Sequence, residues 1–95
     1  ETRWGGKMRQ PTTVRDVFLR AICRIKRDGW CRGRYRRGTR WCLMGALEEG
    51  RVYSPLPGVA RMQAHRAGYT IVWNDRQKSR EPVLAALRQL AREAR

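Results

Sequence analysis

Acidic side chains are scarce in this chain: eight Asp and Glu face 22 Lys and Arg, a formal net charge of +14 over 95 residues. So large an excess works against the compact state by self-repulsion, and a polyanionic partner relieves it. Of the basic residues 19 are arginine, whose planar fork suits bidentate contact with phosphate or carboxylate. Biased codon usage accounts for arginine over lysine but not for the excess of charge. Cysteine occurs three times, an odd number in a chain without a signal-peptide pattern. That argues against a disulfide framework and for free thiols in a reducing compartment. No apolar run is long enough to span a bilayer, so neither a transmembrane segment nor a membrane partner is expected. Histidine occurs once, and there is neither an internal repeat nor a linker. One small domain follows, too short to be two.

What is present is ordered unevenly along the chain. Residues 1–11 have paired glycines and no periodicity, and read as a flexible N-terminal arm carrying Arg3, Trp4, Lys7 and Arg9. Residues 12–95 form the domain. The spacing of Val14, Val17, Phe18, Ala21, Ile22 and Ile25 predicts a helix from Thr13 to Asp28, with Thr13 as N-cap, Asp16 reaching back to the cap and Gly29 as the left-handed stop. Gly29, Gly33 and Gly38 predict a loop or short hairpin turning near Arg37-Gly38. A short helix is expected over Arg40 to Glu49, ended by Gly50, with Gly45 admitting the close approach of another backbone. Ser54-Pro55 starts a weaker helix that Pro57 and Gly58 delay to Val59, running to Ala67. Tyr69 to Trp73 is β-branched and aromatic and reads as extended, with Asn74-Asp75 turning the chain and satisfying backbone where the last helix begins. Ser79 caps that helix, whose stripe is Val83, Leu84, Leu87, Leu90, Ala91 and Ala94. The expected fold is mainly α, a small single-domain bundle of about four helices with an irregular or hairpin loop between the first two. Its core is the first and last helices closing over Leu43, Leu47, Trp73, Trp30 and Trp41.

The segment Trp30 to Leu47 concentrates the chemistry. Arg32, Arg34, Arg36, Arg37 and Arg40 place five guanidinium groups in nine residues, with Tyr35, Trp30 and Trp41 interleaved. That composition grips phosphates while offering rings for bases to stack on, and Tyr35 is the best stacking candidate. Arg20, Arg24 and Arg27 on the first helix are helper charges.

Other chemistries are less well supplied. Cys23, Cys31, Cys42 and His65 are four zinc-capable side chains, but they lack the paired short spacing of zinc sites. Buried structural thiols are the expectation, and no metal or cofactor is assigned. A catalytic arrangement with Cys42 as nucleophile, His65 as base and Asp75 as orienter has the residue types, yet nothing in the sequence brings them together. No enzyme activity is expected.

Four patterns in order carry a resemblance: Gly29-Trp30 with Gly33, then Cys42-Leu43-Met44-Gly45-Ala46-Leu47, then Trp73-Asn74-Asp75, then a capped last helix with Val83-Leu84. Over Val14 to Ala91 the chain resembles an uncharacterised bacterial and phage-encoded family of small domains of unknown function. The resemblance implies a small, mainly helical, stand-alone domain and supplies no activity. It also implies the cytoplasm of a bacterial or phage-infected cell. This chain departs from the pattern in a short Gly33–Cys42 loop packed with arginine, where members are often mixed or acidic. Two readings follow. The leading one is a basic, non-enzymatic protein binding DNA or RNA through phosphate contacts from the arginine loop. The alternative is an interaction protein docking on an acidic surface of a partner, with the same arginines as interface anchors.

Overall fold

A computed structural model of the chain describes residues 11–48 and 55–94. The N-terminal arm up to Gln10, with Trp4, therefore lies outside the described residues, as do Glu49, Gly50 and Ser54.

The first helix, α1, spans Val14–Asp28, and both of its predicted ends hold. Thr13 Oγ1 accepts from the Asp16 N–H at 3.0 Å. The Asp16 carboxylate reaches back one residue further than the cap, to the Thr12 N–H at 3.2 Å. Gly29 closes the helix at φ +102°, its N–H bonded to the Ile25 carbonyl, a conformation that favours glycine. Val17, Phe18, Ala21 and Ile25 are fully buried, as the 3.6-residue spacing requires. The last helix, α5, spans Glu81–Ala94 and packs on α1 more extensively than any other element does. It buries Val83, Leu84, Leu87, Leu90 and Ala91. Its first helical bond runs from Leu84 N to the Arg80 carbonyl, so Arg80 rather than Ser79 stands at the cap. Pro82 falls in the first turn, where a missing N–H costs nothing.

Between these helices the chain makes a hairpin and three shorter helices. β1 (Arg36–Arg37) pairs antiparallel with β2 (Arg40–Trp41) across a two-residue turn, Gly38-Thr39. Gly38 at φ +63° meets the positive φ that such tight turns demand. The helix expected from Arg40 thus starts later, because Arg40 and Trp41 are taken by the hairpin: α2 spans Leu43–Leu47. α3 spans Leu56–Arg66 and is not delayed to Val59, since Pro57 sits in its first turn. α4 spans Ile71–Asp75, where an extended run was expected. Thr70 caps it by accepting from the Trp73 N–H at 3.2 Å, and one turn of helix gives the β-branched residues a satisfied backbone without a partner strand.

The core is small. Leu43 and Leu47 are buried as expected, together with Met44, while Trp30, Trp41 and Trp73 are only partly buried and pack against its edge. Gly45 lies where the hairpin crosses α2. A Cβ there would overlap the Tyr35 carbonyl oxygen and stand 2.9 Å from its carbon, and that same oxygen accepts from Cys42 N–H at 3.0 Å. The close approach read from Gly45 is thus a contact with the strand leading into β1. Replacing Gly45 by Ala forces the hairpin off α2; a loss of about 2 kcal/mol is expected in chemical denaturation, in the range for overpacked sites.

Candidate nucleic-acid interface

The arginine-rich hairpin is held at its base by one buried amide. Asn74, on α4, is fully buried and its side chain makes four hydrogen bonds. Its Oδ1 accepts from the Trp30 indole N–H at 2.8 Å and from the Leu43 backbone N–H at 3.0 Å. Its Nδ2 donates to the Cys31 carbonyl at 3.2 Å and to Asp75 Oδ1 at 3.1 Å. Asp75 Oδ1 in turn accepts from the Gly33 N–H at 2.9 Å. The Asn74-Asp75 pair therefore does not serve the start of the last helix, as its turn chemistry suggested. It ties the residues entering the hairpin, Trp30 to Gly33, to Leu43 on the way out. Every residue type of the Gly29-Trp30, Gly33, Cys42, Gly45 and Trp73-Asn74-Asp75 pattern lies on or beside this network.

A second set of contacts fixes the hairpin to α1. Gly29 to Cys31 runs alongside β2, with Trp41 N–H donating to the Gly29 carbonyl and Cys31 N–H to the Trp41 carbonyl, both at 3.0 Å. The Trp41 indole N–H donates to Asp28 at 3.0 Å, and Arg27 grips the same carboxylate at 2.8 and 2.9 Å. Arg27, aided by the indole N–H and by Arg24, holds the Asp28 carboxyl down from its usual 3.8 to about 2. Two guanidinium groups, of Arg24 and Arg36, lie 5.3 and 4.6 Å from the Trp41 ring centroid. The ring is thereby engaged from within, and base stacking is left to other side chains.

These contacts divide the predicted arginines into two groups. Arg24 donates to the Ala46 carbonyl at 2.7 Å, closing the end of α2. Arg20 pairs with Asp16, Arg27 with Asp28, Arg32 with the Gln77 carbonyl at 3.0 Å, and Arg36 with the Gly38 carbonyl at 2.9 Å. The remaining three, Arg34, Arg37 and Arg40, are exposed, and their guanidinium groups have no hydrogen-bond or carboxylate partner among the described residues. The strand register sets Arg37 directly opposite Arg40. Like charges so placed repel, since directly opposed side chains share a face of the hairpin. Tyr35, at 56% exposure, stands next to Arg34 and Arg36.

The thiols are structural. Cys42 caps α2, its sulfur accepting from Gly45 N–H at 3.3 Å, and burial pushes its thiol pKa up. Burial also raises the Cys31 thiol, which donates towards the Arg34 and Arg40 carbonyls at 3.5 and 3.6 Å. Neither is poised as a thiolate. His65 is exposed on α3, Asp75 is engaged by Gly33 and Asn74, and no group of three His, Cys, Asp or Glu among the described residues is placed to hold a metal ion. No helix among the described residues is long and apolar enough to cross a membrane.

Two outcomes follow from the network. Replacing Asn74 by Ala leaves the Trp30 and Leu43 N–H groups and the Cys31 carbonyl without a partner; at roughly 1–3 kcal/mol per orphaned group, a fall in unfolding temperature of roughly 10 °C or more is expected by calorimetry. For Asp28 the folded pKa is depressed, so its stabilising contribution is complete above pH ~4 and is lost as pH falls towards about 2. In an acid titration of thermal stability, the deficit of Asp28→Asn relative to the parent chain should therefore vanish across that window.

The deeper features were the hardest to see in sequence. The amide of Asn74 has the composition of a turn, and only its position between Trp73 and Asp75 in the family pattern marked it. Asp28, read only as the end of a helix, turns out to be the acceptor for Trp41. No curated protein and no solved structure matches the chain. The model of one family of unknown function, DUF6197, matches residues 9–93. With nearly the whole chain matched, the protein belongs to that family of unknown function.

Proposed function

We propose that the protein binds nucleic acid without catalysis, holding phosphates with Arg34, Arg37 and Arg40 of the hairpin. One observation carries this reading: three exposed guanidinium groups without a partner among the described residues sit on a hairpin that sets two of them face to face. A chain with 22 basic residues has engaged several of its arginines in structural contacts, yet these three stand together with no carboxylate partner among the described residues. A phosphate between Arg37 and Arg40 converts their repulsion into two charge-assisted hydrogen bonds. The rigid base supplied by Asn74 lowers the ordering cost of binding. Tyr35 is the ring placed to stack on an unpaired base beside those phosphates. Three free thiols support a reducing compartment, in keeping with the cytoplasm of a bacterial or phage-infected cell.

Phosphate contact of this kind is dominated by counterion release, so affinity for unrelated DNA and RNA oligonucleotides should fall steeply with salt. Replacing Arg34, Arg37 and Arg40 together by Ala is expected to reduce the slope of log K against log salt by roughly 2 to 3, measured by fluorescence anisotropy. Removing Arg15, Arg88 and Arg92, which lie on α1 and α5, subtracts the same charge and should change the slope by less than about 1. Equal effects of the two triple variants, or an affinity indifferent to salt, would overturn the reading.

A further inference from the structure

The amphipathicity of α3 is inverted. The residues it buries are small, Pro57, Ala60 and Ala64, whereas Val59 is 38% and Met62 56% exposed. Small buried side chains let the helix lie close to α1 and α2 but leave Val59 and Met62 in water, each Å² at a cost of roughly 25 cal/mol. Single apolar side chains on a surface are ordinary; these are grouped. Val59 and Met62 join Ile71 of α4 and Tyr35 of the hairpin, with Met44 of α2 beneath, to line one open groove of about 790 Å³. Ile71 is itself 37% exposed, and its neighbour Val72 is 58% exposed. Besides Tyr35, the charged or titratable residues lining the groove are Arg61, His65 and Arg66, with no carboxylate among the described residues that line it. Glu48 lies 3.6 Å from Arg61 in an exposed pair, which contributes little, and Arg66 has no ion-pair partner among the described residues.

From this we infer that the groove receives an amphipathic helix of a partner protein, apolar on one face and acidic on its flanks. A groove open along one side covers one face of its occupant, which suits a helix better than a small molecule that must be enclosed. Met44 and Met62 line it, giving an adaptable apolar floor, while Tyr35 is the single aromatic ring among the described residues that line it and offers a run of stacked bases little surface. Charge selects the flanks. The basic rim attracts acids, and a second copy of this chain, at +14, is repelled. The chain's own residues 1–10, with Arg3, Lys7 and Arg9 against Glu1, are net basic and equally mismatched. This surface is separate from Arg34, Arg37 and Arg40 of the hairpin, and Tyr35 marks the border between the two.

The test is a titration of the isotope-labelled full chain with a synthetic peptide of about 18 residues, five helical turns, bearing Leu at i, i+3, i+4 and i+7 and Glu on the flanks. A scrambled peptide of the same composition and a Lys-for-Glu peptide serve as probes of pattern and charge. The expected result is a set of amide shifts centred on α3, α4 and Tyr35, with binding at least about tenfold tighter than for either control. Met62→Glu, at an exposed position that folding tolerates, should weaken it about tenfold, and Val59→Glu gives the same reading if Met62→Glu fails to fold. The Arg34, Arg37, Arg40 triple Ala variant should retain the peptide within about twofold, so this inference and the phosphate reading fail separately. Equal binding of the scrambled peptide, or shifts centred on Arg34 to Arg40, would reduce the interaction to bare charge attraction and overturn the proposal. So would sedimentation showing a dimer that Met62→Glu dissolves, an affinity that rises about tenfold when residues 1–10 are removed, or shifts across α3 and α4, beyond Tyr35, produced by a single-stranded oligonucleotide instead.

Discussion

A fully buried carboxamide, that of Asn74, is the interaction on which the rest of the arrangement depends. A side-chain amide has two donors and two acceptor sites, and here all four are used, with partners on α4, on the entry to the hairpin and at the start of α2. The net gain from each such bond is modest, roughly 1 kcal/mol, but the cost of leaving any one unmade in a dry interior is larger. That asymmetry fixes geometry. A hairpin shifted by one residue would strand the amide, so the network selects one placement of Arg34 to Arg40 where a merely apolar contact would tolerate several.

The arginines acquire their meaning from the same base. Those that fall near a carbonyl, a carboxylate or the Trp41 ring are absorbed into the scaffold: Arg24 closes α2, Arg27 grips Asp28 and Arg36 lies over Trp41. Such contacts hold long side chains in place and remove them from the pool available to a ligand. Net charge is blind to this difference. Arg34, Arg37 and Arg40 differ from their neighbours in environment, not in type, and the hairpin register is what sets two of them in opposition.

How much of this was legible follows from how local each cause is. α1 and α5 are long enough for a 3.6-residue stripe to declare itself, and the Thr13 cap and the Gly29 stop of α1 are written within a few residues of its ends. Gly45 was readable too, since a mid-helix glycine carries a helix-propensity cost that a close backbone contact explains. The run Tyr69 to Trp73 misled because β-branched residues favour strands on average, while here the Thr70 hydroxyl caps a single turn and no partner strand is at hand among the described residues. α3 looked weak for a real reason: its inward stripe is built of small residues, Pro57, Ala60 and Ala64, while Val59 and Met62 face water. The Asn74 contacts reach across 43 and 44 residues to Cys31 and Trp30, and no window of local sequence contains both ends. In the same way, Tyr35 was read for its ring, whereas its carbonyl, set against Gly45 and Cys42, is what seats the hairpin on α2.

Tyr35 also decides how the two proposed surfaces relate. Its carbonyl is seated against α2 and its ring lines the groove, so the entry to the hairpin and α3 border one surface. Coupling between sites needs either a second conformation that one ligand prefers or a direct interaction between the ligands. The direct term follows from charge alone, because a phosphate backbone and an acidic helix carry charge of the same sign. Where the two approach within a Debye length, about 8 Å at physiological salt, each weakens the other by the same factor. Taken together, the two proposals imply antagonism: an acidic partner helix seated in the groove would loosen nucleic acid from the hairpin, and raising the salt would screen that antagonism and the phosphate grip together.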